Sequence, residues 1–236
     1  SLYFELRMLD ARSGEITGTL APVSGPAGSP TAALDRLNRG ALGALAARFN
    51  PALADFARQS ARPPSYDAYR AYVAGQELVR RSDFRGALAR FEEASRLDTG
   101  WVAARFGIVE ALENTRQLAR ADTIVRQLEA RAASLTPLER ATLDEYATSI
   151  RGDIPGNLAA AFRMHALSPG GQFRATLATK LMNANRLPEA LDTLDAANAE
   201  VGMFERSTWV QTLRMRLLHH TGQHERALAE ALALRK

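Results

Sequence analysis

Cysteine is absent from this sequence of 236 residues, and lysine occurs only at positions 180 and 236. The absence of cysteine excludes disulfide bonds, thiolate nucleophiles and cysteine-ligated zinc, and it is compatible with either side of a cell membrane. All apolar runs are broken well before the ~18 residues that a membrane helix needs, so no membrane span is expected in this chain. Because the chain begins with Ser1, we expect a fragment of a longer parent, whose upstream part could include a signal or a membrane anchor.

Charge of one sign is not concentrated anywhere along the chain. The isoelectric point is 9.8 but the net charge is only +4, and arginines are mixed with acids, as in Arg90-Phe91-Glu92-Glu93. Nucleic-acid binding requires basic groups clustered on one surface, so a mixed, solvated surface is the better interpretation and no nucleic-acid partner is expected. The preference for arginine over lysine is typical of a GC-rich bacterial genome. Both a cytoplasmic location and the extracytoplasmic part of a membrane-anchored parent stay open.

The amino-terminal segment has the alternation of a β-hairpin. Apolar residues at even positions from Leu2 to Met8 share one face, residues 10–14 are turn formers, and a second extended run covers residues 15–22. Helical spacing follows at Leu34, Leu37, Ala41, Leu45 and Phe49. Two strands and one helix bury too little surface to be stable alone. Residues 1–62 are therefore predicted to be part of an α/β domain.

Prolines at 51, 63 and 64 precede a long region rich in Ala and Leu, and we place a domain boundary near residue 63. From there, polar turn clusters recur at intervals of roughly 30 to 40 residues, which is the period of a helical repeat. In the first such segment, Gly75 is followed by Ala87, Phe91 and Ala94 in a second helix. Small residues allow two antiparallel helices to cross closely, and the larger residue fills the groove against the next repeat.

This pattern resembles the tetratricopeptide repeat, with a small residue in the first helix and Ala, aromatic, Ala in the second. Its small-residue spacing returns at Ala121, Ala190, Ala197 and Ala227. The sequence Thr136-Pro137-Leu138-Glu139 predicts a helix start, and the segment that follows it forms a further pair that lacks the spacing. The resemblance implies a mostly α chain, in which residues 63–236 form a superhelix of about five helix pairs.

The amino-terminal segment has a second resemblance. The run from Leu6 to Glu15, with Asp10-Ala11 and Gly14-Glu15 at the turn, followed by a polar strand and a helix, is similar to the closing half of a TolB-like amino-terminal domain. Such domains precede tetratricopeptide arrays in bacterial signalling proteins, including membrane-anchored kinases, nucleotide cyclases and transcriptional regulators. The resemblance implies that residues 1–62 are a partial TolB-like segment whose hairpin pairs with a part of the domain that lies upstream.

The first helix of each tetratricopeptide pair lines the inner face of the array, where a peptide partner would bind. The candidates that are not needed for the small-residue crossings are Tyr69, Tyr72, Gln76, Val79, Phe106, Glu110, Glu113, Trp209, Thr212 and Arg216. The alternative interpretation is that the aromatic rings among them pack between repeats. The chaperone-binding members of the tetratricopeptide family grip a terminal carboxylate with Lys and Asn on this face. Capture of such a carboxylate is not expected here, because Tyr72 and Gln76 stand where those groups would be needed.

Catalytic motifs are absent. No Gly-rich phosphate loop, nucleophile elbow or HExxH sequence occurs, so the chain is not expected to be an enzyme or to bind a cofactor. His219, His220 and His224 cluster, but Gly222 interrupts the helix between them, so the i, i+4 geometry of a helical metal site is expected to be lost and no metal site is predicted. His165 stands alone and is interpreted as packed or solvated.

These features favour a non-catalytic protein-interaction scaffold or sensor module of a larger bacterial signalling protein. One alternative is a structural subunit that docks into an assembly through its hairpin edge or the outer face of its helices. A nucleic-acid binder, motivated by the high isoelectric point, is less favoured. The sequence does not determine the identity of the partner or the oligomeric state.

Overall fold

The computed structural model describes residues 1–28, 30–50, 53, 64–169, 171–196 and 208–233. It contains two compact units, Ser1–Glu139 and Arg140–Lys236. The first unit begins with short antiparallel strands and continues as helices, and the second is helical throughout its described part. The chain is therefore mostly α with a small β segment at its start, as the sequence predicts.

Four short strands form two successive antiparallel pairs, the inner one closed by a turn at residues 10–14. Their bounds are Leu2–Phe4 (β1), Arg7–Leu9 (β2), Ile16–Thr19 (β3) and Val23–Gly25 (β4). Strand β1 pairs with β4, and β2 pairs with β3 with an irregular register at Met8 and Leu9. In the turn, the Asp10 carboxylate accepts hydrogen bonds from the backbone N–H groups of Arg12 and Ser13, and Gly14 has φ +72°. The hairpin predicted from the alternation is thus confirmed.

The helix that follows the hairpin, α1 (Thr31–Phe49), is also confirmed, but its inward face differs from the predicted one. The buried side is made of small residues, among them Ala33, Ala44 and Ala47. Gly43 lies so close to the backbone of Pro64 that a Cβ atom there would overlap the Pro64 carbonyl oxygen. The leucines and the phenylalanine of the predicted stripe lie largely outside, because only small side chains fit this close approach.

Ten further helices follow in the described chain, and they form successive helix pairs. Their bounds are Tyr66–Arg80 (α2), Phe84–Leu97 (α3), Val102–Asn114 (α4), Leu118–Glu129 (α5), Pro137–Arg151 (α6), Ile154–Leu167 (α7), Gly171–Asn183 (α8), Leu187–Asp195 (α9), Thr208–His220 (α10) and His224–Ala233 (α11). A short 3₁₀ turn, Ala132–Ser134, precedes α6. The start of α6 has the predicted capping box, since Thr136 and Glu139 each accept the other's backbone N–H with a side-chain oxygen.

Each helix pair is joined by a turn that contains one residue with positive φ. These residues are Ser82, Arg116, Gly152, Asn185 and Gly222, with φ between 59° and 76°. They act as common register marks, because the left-handed residue occupies the same place in every turn. Five positions after each mark, in the second helix, stand Ala87, Ala121, Asn157, Ala190 and Ala227. Seven positions before each mark, in the first helix, stand Gly75, Val109, Glu145, Ala178 and Met215.

These marks establish the register of the pair that the sequence pattern did not resolve. Asp83 and Asp153 both follow a mark, and each caps its second helix by accepting the backbone N–H of a glycine, Gly86 or Gly156, at 2.9 Å. The turn before α7 is therefore equivalent to the turn before α3. Asn157 consequently occupies the position at which the other four pairs have alanine.

The first unit packs around Phe91, which is fully buried. A Cβ atom at Gly75 would lie 2.6 Å from one ring carbon of Phe91, and one at Gly107 would lie 2.7 Å from another. Ala87, Ala94 and Ala121 are also fully buried. Helices α2 and α4 can thus approach the ring only because both present glycine to it, which agrees with the packing predicted from the repeat.

In the second unit, helices α7 to α11 enclose a core in which Leu181, Leu217 and Leu218 are buried almost completely. Ala190 belongs to this core, and Ala227 is partly buried against it. Ala197, which the repeat pattern also assigns to packing, lies outside the described residues. The small-residue positions that are described therefore face the interior in both units.

Candidate functional site

The candidate binding residues lie on the first helices of the pairs: α2 and α4 in the first unit, and α10 in the second. The α2/α4 face is defined here by Tyr69, Gln76, Val79, Glu110 and Glu113, and the α10 face by Trp209, Thr212 and Arg216. Tyr72 and Phe106, the other two predicted candidates, are only 7% and 5% exposed. Burial makes these two rings part of the core, as the packing interpretation expects.

Tyr72 is an anchored core residue. Its ring centroid lies 5.2 Å from that of Phe91 and 4.9 Å from that of Trp101. Its hydroxyl accepts a hydrogen bond from the Gln76 side-chain amide at 2.8 Å. Burial raises the pKa of Tyr72 well above its usual value and the Glu110 carboxylate raises it further, while the Gln76 hydrogen bond opposes both effects. The phenol therefore stays neutral and holds Gln76 in place beside the α2/α4 face.

The α2/α4 face itself is half-buried and polar. Tyr69 stacks on Tyr66 with ring centroids 6.3 Å apart and planes at 16°. Val79 supplies the apolar element, and two carboxylates, Glu110 and Glu113, occupy α4. Partly exposed aromatic and aliphatic surface beside acids is suited to a peptide that carries a basic residue.

The α10 face is more open. Trp209 is 50% exposed, and Thr212 and Arg216 follow it at steps of three and four residues, so the three side chains share one side of the helix. Helix α10 contains no aspartate or glutamate. The half-exposed indole offers a large apolar contact at low entropic cost, and the Arg216 guanidinium, two helical turns away on the same side, offers a hydrogen-bonding charge.

A buried polar cluster occupies the helix crossing between α6 and α7. The Asn157 amide donates to the Glu145 carbonyl oxygen at 2.7 Å, and it lies 3.2 Å from both a carboxylate oxygen of Glu145 and the Thr148 hydroxyl. Lys180 of α8 forms an ion pair with the same carboxylate at 2.5 Å. The small-residue pattern of the sequence did not predict this cluster. Aligning the turn at Gly152 with the other turns would have shown Asn157 at the position where the other pairs have alanine, and Glu145 at the position of Gly75.

The histidines are placed differently from one another. His220 ends α10 and His224 begins α11, as the break at Gly222 predicts. The same turn nevertheless brings His219 and His224 together, with their Nδ1 atoms 3.2 Å apart.

His165 Nδ1 is buried and has no hydrogen-bond partner among the described residues. Burial and then the nearby Arg174 lower the pKa of His165, so its imidazole favours the neutral form.

No group of three or more His, Asp or Glu side chains with metal-binding geometry occurs among the described residues. No helix in the described part of the chain is both long and apolar enough to cross a membrane.

Comparisons with known proteins identify the fold. No family model and no curated protein sequence matches the chain. A thermophilic TPR protein of Thermus thermophilus superposes with a TM-score of 0.56 at 16% identity, over 71% of this chain and 90% of that one. Nearly identical TPR-like repeats of a kinesin light chain from Podosopora anserina match with a TM-score of 0.46 at 14% identity, over 71% and 92%.

A third solved structure, MamA of Desulfovibrio magneticus, matches with a TM-score of 0.43 at 15% identity, over 72% of this chain and 93% of that one. At these identities the likeness concerns the fold alone, and the Thermus structure carries it because its TM-score exceeds 0.5. Together with the repeated turns and small-residue crossings, it shows that the helical part of the chain has the tetratricopeptide-like fold.

Proposed function

We propose that the chain is a non-catalytic module that binds a segment of a partner protein through exposed side chains on the first helices of its repeats. The observation that carries this proposal is the α10 face, where Trp209 is half exposed although indole is among the most costly side chains to leave in water. Tryptophan and arginine, both present on this side of α10, are residue types that are enriched in binding hot spots. The TPR-like fold supports the same function by analogy only.

The test is selection of peptides from a displayed random library on the folded chain, followed by fluorescence anisotropy with the selected sequences. Trp209→Ala and Arg216→Ala should each weaken binding by about 1 kcal/mol or more, roughly fivefold or more. Leu228→Ala is the matched control, because Leu228 is 61% exposed on α11, the second helix of the same pair. Equal losses in all three variants, or no selected peptide, would count against the proposal.

Tyr72 is unsuitable for this test, because its truncation would open a cavity beside Phe91 and lower stability. For the α2/α4 face, Tyr69→Ala is the better variant, with Ala89→Ser on the outer side of α3 as control. Selective loss in Tyr69→Ala would assign the peptide to the first unit instead of the second.

A second candidate function is docking into an assembly through the amino-terminal segment. Large apolar side chains are exposed on the outward side of α1, namely Leu34, Leu42, Leu45 and Phe49, and on the hairpin, namely Tyr3, Leu9 and Ile16. Patches of this kind favour a protein contact. Sedimentation of Leu45→Glu and Phe49→Glu variants tests this candidate, since a lower association state than that of the wild-type chain is expected.

The wider setting is also a proposal: a larger bacterial signalling protein in which residues 1–62 complete a TolB-like domain and residues 63–236 form the repeat domain. Its support is the resemblance of the turn around Asp10 and Gly14. Expression of residues 64–236 alone tests the division. A folded product with the helical signal of the repeats is expected, and loss of the helical signal would contradict the boundary.

A further inference from the structure

The turn between α10 and α11 brings two imidazole rings into direct contact. His219 Nδ1 and His224 Nδ1 are 3.2 Å apart, and the ring centroids are separated by 4.9 Å with planes at 57°. Both side chains are exposed. The turn that positions them is held by hydrogen bonds, because Gln223 donates its backbone N–H to the Leu218 carbonyl and the Thr221 hydroxyl donates to the Leu217 carbonyl, both at 2.8 Å.

The separation of the two nitrogen atoms matches that of two ligands on one metal ion. With metal–nitrogen bonds of about 2.0–2.1 Å, two ligands of a tetrahedral ion lie about 3.3 Å apart. A neutral imidazole offers one unprotonated nitrogen as a ligand, and the two Nδ1 atoms here are close enough to share one ion. A single shared proton can also join the rings, so a bound cation and a hydrogen bond are alternative occupants of the same gap.

We propose that His219 and His224 form a two-histidine site for a late first-row divalent transition metal ion, of which Cu²⁺, Ni²⁺ and Zn²⁺ are the candidates. Imidazole nitrogen suits these ions, whereas Mg²⁺ and Ca²⁺ require oxygen ligands that this pair does not provide. The affinity order expected for such a site places Cu²⁺ first. This proposal does not depend on the peptide-binding function proposed above.

Only two protein ligands come from the described residues, so the other coordination positions are filled by water or by a donor from another molecule. His220 lies beside His219 with a centroid distance of 5.7 Å, in an edge-on arrangement. His219 also follows Arg216 by three residues and so continues the α10 face. A metal at this place would therefore lie at the end of the surface that carries Trp209.

The test uses the untagged full chain and copper(II) chloride, with electron paramagnetic resonance as the readout. One equivalent of Cu²⁺ should bind saturably, with superhyperfine splitting from two imidazole nitrogens. His219→Gln and His224→Gln should each lower the affinity for Cu²⁺ at least about tenfold. Even the loss of a residue that only supports a metal ligand costs roughly 10- to 100-fold, and these two are the ligands themselves. His165→Gln and His220→Gln are the matched controls and should leave the affinity unchanged.

The second readout uses zinc chloride. Calorimetry measures its binding, and thermal unfolding measures the midpoint of the chain, which rises when an ion binds only the folded state. The unfolding midpoints of the metal-free variants establish that each variant is folded. Failure of the wild-type chain to bind one Cu²⁺ saturably would overturn the proposal, and so would binding that survives loss of both His219 and His224. A loss in His220→Gln as large as that in His224→Gln would overturn the two-ligand assignment.

Discussion

Asn157 and Glu145 face each other at the crossing of α6 and α7, where the equivalent positions of the first pair are Ala87 and Gly75. One pair thus replaces a close contact of small residues by a hydrogen-bonded amide and carboxylate. Lys180, on α8, the first helix of the following pair, compensates the buried charge of the Glu145 carboxylate. Such a cluster is tolerable in the interior only while every member keeps its partner.

Removing the cation should therefore be costly. Lys180→Met leaves the Glu145 carboxylate, 8% exposed, without its counter-ion, and we expect a loss on the order of 3 kcal/mol in the free energy of unfolding, measured with urea. Adding Glu145→Gln should recover much of the loss, because a neutral amide can still accept from Asn157. Arg163→Met breaks the exposed pair with Asp144 and should cost less than about 1 kcal/mol. Equal effects at both sites would contradict this account.

The contact between Gly75 and Phe91 predicts a steric penalty. Gly75→Ala places a Cβ atom 2.6 Å from a fully buried ring, so overpacking should lower the free energy of unfolding by about 1 to 3 kcal/mol. Gly28→Ala is the control, because nothing lies within 4 Å of a Cβ there. In a Phe91→Leu background the same Gly75→Ala change should be milder, since the smaller side chain can move aside. Additive losses would argue against the contact.

The left-handed turn residues predict a stabilising change. Arg116 has φ +59°, a conformation that disfavours side chains with a Cβ atom. Arg116→Gly should raise the free energy of unfolding by about 0.5 to 1 kcal/mol. The change relieves backbone strain in the folded chain, and part of that gain is offset because glycine increases the conformational entropy of the unfolded chain. Ala89→Gly, inside α3, should lower it by about 1 kcal/mol. Urea midpoints compare the two, and a loss at both positions would contradict the prediction.

The buried Tyr72 phenol predicts a dependence on alkaline pH. Its folded pKa is raised above the unfolded value of about 10, so its stabilising contribution is complete below pH 10 and is lost as the pH rises towards the folded pKa. Above pH 10 the free energy of unfolding should fall by about 1.4 kcal/mol per pH unit from this residue. Tyr72→Phe should remove that share of the slope in urea titrations. Tyr3→Phe, at a side chain 77% exposed, is the control, and an unaltered slope in Tyr72→Phe would refute the assignment.

Sequence patterns sufficed where the structure depends on local rules. The hairpin followed from alternation and from the turn residues around Asp10, and the capping box at Thr136 and Glu139 was predicted from residue types alone. Candidate binding residues were harder to assign. Tyr72 and Phe106 lie on first helices, as Tyr69 and Trp209 do, yet their rings are buried, because exposure depends on which neighbouring helix covers a position.

Helical periodicity, the period of the repeat and the small residues at Gly75, Ala87 and Ala121 were therefore determined by the sequence itself, since each follows from backbone preference or from a steric limit at a single position. The tertiary structure decided which face of α1 points inward, how Glu145 and Asn157 share a crossing with Lys180, and how the Gly222 turn brings His219 to His224. The first two depend on which helices pack against one another, and the third depends on the path of the backbone through the turn, so none of them follows from residue types at single positions.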